Sequence, residues 1–280
     1  WWLAGRAEDG RGRPGRREIV IVPAALAVVG AMYLAWRHAV IGQTAQGGYL
    51  TGSAVTTWMT MVFAAAEYVR LLVWPAALLS DYSGMNPIAT WGDARLWLSG
   101  ATLALLALSV WRLRRRCPVA TFGALWVAIA LLPVSNLVPM MQFMAERFLY
   151  FPMIGFALTA AAAVHGLFAR WRIAALVVAS AVLAAYGVRT AQRVDVWASD
   201  AVLHAATVRD ARRPGIRPLR NLVIALTNEG RFDEALPAAR DLYGRMLAAE
   251  DAAPRRVAEA ARHLGFSLQA SGSRVEGVRL

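Results

Sequence analysis

The character of this chain changes near residue 190. Before that point, apolar stretches of membrane-spanning length recur; after it comes a polar tail rich in Ala and Arg. An α-helix needs about 20 apolar residues to cross the hydrocarbon core of a bilayer. Several such stretches in succession imply an all-α chain: a polytopic membrane domain followed by a helical domain of another kind. The 58% hydrophobic content exceeds the usual share of a soluble domain.

Reading along the chain, residues 1–18 form a basic segment, residues 19–190 a transmembrane domain, and residues 191–280 a polar helical domain. The apolar runs are Ile19–Trp36, Leu96–Trp111, Pro118–Val134, Phe151–Ala169 and Ile173–Val188. Residues 55–74 are also helical in pattern but carry Glu67 and Arg70, which are costly in lipid. The basic clusters at Arg11–Arg17, Arg112–Arg116 and Arg170/Arg172 flank these runs, as topology signals do. Placing all three in the cytoplasm gives about five spans, with 55–74 as an interfacial or re-entrant helix. Loops 41–95 and 135–150 and everything after the last span are then external. The alternative is that 55–74 does cross, with Glu67 and Arg70 facing other helices.

A formal charge of +12 raises the question of nucleic acid, but all 30 basic residues are Arg and no stacking or groove-reading motif accompanies them. No nucleic-acid partner is expected. The lone Cys117 excludes an intrachain disulfide and a cysteine-cluster metal site. His38, His165, His204 and His263 fall in four different segments, so no metal site is expected. The start at Trp1-Trp2, followed by a Gly/Arg-rich stretch and an apolar run with no small-residue cleavage site, reads as the interior of a longer protein.

The tail contains the pattern Leu222, Ala225, Leu226, Gly230, Phe232, Ala235, which reads as helix, turn, helix. Small residues let paired helices approach, Gly230 supplies the turn, and the larger residues fill the space between. A second copy follows at Leu264, Gly265, Leu268 and Gly272. Leu222 and Leu264 are 42 positions apart, against roughly 34 in a tetratricopeptide repeat, so an insertion near Ala249–Pro254 lengthens the first unit. A degenerate half-unit spans Trp197–Pro214. An ordinary helical hairpin is the simpler alternative.

Two external loops concentrate the polar chemistry. One carries Glu67 and Arg70 in Arg-Leu-Leu-Val-Trp-Pro and continues to Asp81-Tyr82-Ser83; the other holds Leu-Pro-Val-Ser-Asn-Leu-Val-Pro and then Ala-Glu146-Arg147-Phe-Leu-Tyr-Phe-Pro. Arg at headgroup depth can hold a phosphate bidentately while its stem stays in apolar surroundings. Structural ion pairs, Glu146–Arg147 and Glu67–Arg70, are the alternative.

Those motifs resemble the transmembrane and tetratricopeptide repeat protein O-mannosyltransferases and their bacterial relatives, over roughly residues 19–280. The resemblance implies a GT-C type membrane glycosyltransferase architecture and a polyprenyl-phosphate-linked sugar donor, with no other cofactor. It implies inverting transfer to a protein hydroxyl, repeats outside a bacterial inner membrane, and a protein or peptide held on those repeats. It makes Arg147 the lipid-phosphate contact with Glu146 orienting it, and Arg70 and Asp81 secondary candidates. The family's acidic catalytic loop has no counterpart here, because residues 41–56 contain no Asp or Glu. The chain is therefore expected to be the C-terminal portion of such a protein, inactive alone and without a catalytic residue of its own. The rival expectation is a non-catalytic membrane-anchored repeat scaffold for protein–protein interaction.

Overall fold

The structure is a computed structural model that describes residues 16–41, 48–49, 52–140, 142–248 and 254–270. The basic clusters before residue 16, most of the loop 42–51, the insertion at 249–253 and Gly272 lie outside the described residues. Those described form ten α-helices and no strand, and the chain divides into two compact units, Trp1–Gly48 and Tyr49–Leu280.

The first unit contains α1 (Arg16–Ile41), whose described large apolar side chains, such as Val29, Met32 and Trp36, are exposed.

The second unit begins with α2 (Ala54–Val73), α3 (Ala94–Leu113), α4 (Pro118–Leu131), α5 (Tyr150–Arg170) and α6 (Arg172–Val194). Each boundary has a local cause. Asp93 caps α3 by accepting the Arg95 N–H at 2.9 Å, and Pro118 opens α4, where a missing N–H costs nothing. Pro133 then tightens the end of α4 into a single 3-10 turn, Leu132–Val134. Three helical stretches, Ala94–Leu113, Glu146–Gly166 and Arg172–Trp197, are long and apolar enough to cross a membrane, and Pro118–Val134 is a shorter apolar one. Leu98, Leu105, Ile173 and Leu183 project from them uncovered, an apolar surface suited to lipid and not to water. The last of these helices continues past the expected end at Val188 to Val194, so Arg189 and Arg193 ride on its final turns.

Helices α4 and α5 pack through their glycines. A Cβ on Gly123 would strike the Gly155 carbonyl, and one on Gly155 would strike the Gly123 carbonyl and Trp126. The Thr159 hydroxyl contacts the Ala120 carbonyl at 3.3 Å, and the Trp126 indole donates to the Phe151 carbonyl at 2.9 Å. Close backbone approach through small residues, sealed by interhelical hydrogen bonds, is how helices associate in lipid.

Helix α2 is not among the three candidate spans. Its buried side chains include Thr57, Thr60, Met61, Tyr68 and Leu72, and the last three share a core with Tyr82, Phe143 and Met144 of the connecting loops. Thr60 Oγ1 accepts the Ile88 N–H at 2.9 Å, Tyr68 Oη accepts the Ala145 N–H at 3.1 Å, and the Asn136 amide reaches the Met61 sulfur at 3.4 Å. Farther on, the Tyr186 hydroxyl of α6 meets the Leu72 and Val73 carbonyls.

After a 3-10 turn at Asp195–Trp197 the chain becomes an array of shorter helices: α7 (Asp200–Asp210), α8 (Ile216–Asn228), α9 (Phe232–Ala248) and α10 (Pro254–Ala270). Gly230, at φ +74°, makes the turn between α8 and α9 that a side chain would resist. Leu222, Ala225, Leu226 and Ala235 are buried together with Ala201 of α7, while Leu264 and Leu268 close on Val223 and Ala239. Phe232 is only half-buried and meets Phe266 edge-on at 5.7 Å; Gly265 is half-buried as well.

This array is docked and does not hang on a tether. Gly84 of the α2–α3 loop lies against Arg213–Gly215 with backbone touching backbone, so a Cβ at either glycine would collide with the opposite chain. Beside it the buried Thr207 hydroxyl meets the Ser80 hydroxyl at 2.8 Å and accepts the Ser80 N–H at 3.2 Å. Residues on both sides of the expected division near 190 fall within one compact unit, Tyr49–Leu280.

Candidate functional site

Loop 74–93, the end of α2, the start of α3 and the α7–α8 connection enclose a cleft of about 660 Å³. Arg70 of α2 and Arg95 of α3 line one side, and Arg212 and Arg213 of the α7–α8 connection the other. The carboxylates on its wall are Glu67, Asp81 and Asp210.

The guanidinium groups differ in how they are held. Arg95 is locked: it forks onto Asp93 with contacts of 2.6 to 3.1 Å, donates to the Asn86 carbonyl at 3.2 Å, and lies over the Phe63 ring. Its hydrogen bonds hold the Asp93 carboxyl below its ordinary pKa. Arg70 pairs with Glu67 at 2.7 Å, the expected ion pair one helical turn away. Arg212 and Arg213 are exposed, and among the described residues neither has an ion-pair partner. The cleft thus presents two positioned cations and two uncommitted ones.

Its carboxylates are all engaged. Asp81 accepts the Ser83 N–H at 2.6 Å, an Asx turn, and lies 3.7 Å from Arg217; its side chain is only 10% exposed. Asp210 pairs with Arg209 at 2.8 Å. A site so arranged can hold an anion through bidentate guanidinium contacts. Ala77, also on the wall, sits at φ +52°, a strained conformation for a residue with a side chain.

Glu146 stands behind this wall. Its Oε1 accepts the Leu79 N–H and, at 3.0 Å, the Tyr82 hydroxyl, so it pins the loop whose residues face the cleft. Burial first, then the Glu146 charge, pushes the Tyr82 phenol far above its usual value. Arg147 goes elsewhere: it donates to Gln142, lies 5.4 Å from the Phe148 ring centroid, and remains exposed. The expectation that Glu146 orients Arg147 does not match this geometry. The two follow each other in the 3-10 turn Glu146–Leu149, where successive side chains point about 120° apart. Of the four expected ligand residues, Arg70 and Asp81 reach the cleft, Glu146 supports it, and Arg147 lies outside its lining.

Sequence reading missed Arg95, Arg212 and Arg213. A signal existed in Arg212-Arg213-Pro214-Gly215, a basic pair immediately before a turn. What the sequence lacked was the docking of that turn against Gly84. Comparison of the chain with protein-family models, with curated proteins and with solved structures finds no match in any of the three.

Proposed function

We propose that this chain is the C-terminal membrane-and-repeat portion of a GT-C type, polyprenyl-phosphate-sugar-dependent glycosyltransferase-like protein of a bacterial inner membrane. The cleft holds the lipid-linked phosphate, and the tetratricopeptide-type repeats hold the polypeptide acceptor on the extracytoplasmic side. The observation that carries this reading is the cleft itself. Four guanidinium groups from two parts of the chain face one space, beside helices apolar enough for lipid. In this reading Arg70, Arg212 and Arg213 take the phosphate in place of Arg147, and Asp81 shapes the loop by its turn. Helix α2 lies along the external membrane surface and does not cross. Its loop contacts at Thr60 and Tyr68 support that orientation. Transfer chemistry falls to acidic groups outside this chain, because the cleft's own carboxylates are committed to hydrogen bonds and ion pairs.

Photo-crosslinking tests the location. A polyprenyl phosphate with a photoreactive group next to the phosphate should label residues 77–86 and 211–215. Labelling confined to 142–148 would return the site to Arg147. Absence of labelling would favour the membrane-anchored repeat scaffold.

A further inference from the structure

Helices α3 and α4 are joined through Arg114–Cys117, yet away from that turn they do not close on each other. α4 packs along α5, and the start of α3 packs on α2 through Leu96 and Met59. Between them lies a second, apolar cavity of about 850 Å³. Leu106 and Val110 of α3, Ala124 and Ala128 of α4, and Val69 of α2 are among its walls, and Arg114 stands at its turn end. The α3 wall belongs to a candidate span and the α4 wall to the shorter apolar helix, which suits the cavity to hydrocarbon.

Its turn end is strongly cationic. Arg112, Arg114, Arg115 and Arg116 fall within five consecutive residues and are all exposed, and no carboxylate pairs with any of them among the described residues. Arg114 is held in place: its guanidinium lies 4.3 Å from the Trp111 ring centroid and donates to the Trp111 carbonyl. Start and end of α3 are about 30 Å apart, so this patch is at the opposite end of that helix from Arg95 and the cleft.

We propose that the wedge between α3 and α4 is a binding site for an anionic phospholipid, with an acyl chain between the helices and the phosphate on Arg114 and its neighbours. Two features choose this occupant. A helix, about 10 Å across, cannot enter between two helices tied by so short a turn, whereas a single acyl chain can. A basic rim at the end of an apolar inter-helical groove selects an anionic headgroup over a zwitterionic one. The site is independent of the phosphate cleft.

The test is native mass spectrometry of the delipidated full chain, offered phosphatidylglycerol or phosphatidylcholine. Three proteins are compared: wild type, a variant with Arg112, Arg114, Arg115 and Arg116 all changed to Gln, and Ala128→Phe, which fills the wedge. Wild type should retain phosphatidylglycerol on the order of tenfold better than phosphatidylcholine. The Arg variant should lose that preference, and Ala128→Phe should carry fewer bound lipids. Because the four arginines are exposed, their replacement leaves the buried side chains between the helices in place. Equal retention of the two lipids by wild type, or a preference that survives loss of all four arginines, overturns the proposal.

Discussion

Glu146 and Arg147 are adjacent in sequence and opposite in consequence. The Glu146 carboxylate receives a backbone N–H and a phenol from a loop more than sixty residues away. Arg147 stays at the surface with Gln142. Glu146→Ala strands two partly buried donors and should destabilise the protein by about 1–3 kcal/mol. Arg147→Ala should stay within about 0.5 kcal/mol. Denaturant unfolding of both variants in detergent checks this; equal effects would refute the assigned roles. At the junction, Thr207→Val removes the hydroxyl that serves Ser80 while keeping the shape of the side chain. It should cost about 1 kcal/mol and speed proteolysis of the α7–α8 connection.

At the scale of elements, glycine positions and histidines set the predictions. Gly155→Leu puts a side chain where α5 meets the α4 backbone, and the pair must separate. A cost of at least about 1–3 kcal/mol is expected, read as a lowered melting temperature. Gly230→Ala keeps the α8–α9 hairpin but strains its turn by about 1 kcal/mol. Two histidines of the array α7–α10 have depressed pKa values: His204 through burial, and His263 through burial and then the nearby Arg262. The unfolded chain binds protons that the folded histidines refuse. Their neutral form therefore leaves stability intact above the ordinary value of 6.5, and stability falls as pH drops below it. Unfolding of the array α7–α10 should become easier between pH 7 and pH 5; a flat response would contradict this.

These elements also show what the sequence could reveal. Local signals were legible: the apolar runs at 96–111, 151–169 and 173–188, the Pro118 helix start, and Gly230 as a turn. So was the packing pattern of Leu222, Ala225, Leu226, Ala235, Leu264 and Leu268. Phe232 fits that pattern less well: it is half-buried and meets the exposed Phe266 edge-on. The cleft was half legible. Arg70 and Asp81 stand in a conspicuous loop, but Arg95 enters from the start of α3, and Arg212 and Arg213 reach the same space only because Gly84 docks on Gly215. A contact between segments some 130 residues apart leaves no periodicity behind.

At the scale of the whole molecule, the apolar helices meet the array α7–α10 where Gly84 touches Gly215 and Ser80 meets Thr207, and the cleft opens beside that contact. The loops around Tyr82 and Glu146 and the array α7–α10 share one end of the helices, and the Arg112–Arg116 turn lies at the other. In a Cys117→Ser background, Trp91→Cys and Ser199→Cys should react with an impermeant reagent from outside intact cells. Arg115→Cys should react only after permeabilisation. The most direct measurement is the binding affinity of a short-chain polyprenyl phosphate for the full chain in detergent. It is compared with Arg70→Ala, with the double variant Arg212→Ala and Arg213→Ala, and with Arg147→Ala. The account predicts saturable binding weakened on the order of tenfold or more by the cleft variants and left nearly unchanged by Arg147→Ala. Binding that survives loss of the cleft arginines, or falls only with Arg147, would contradict it.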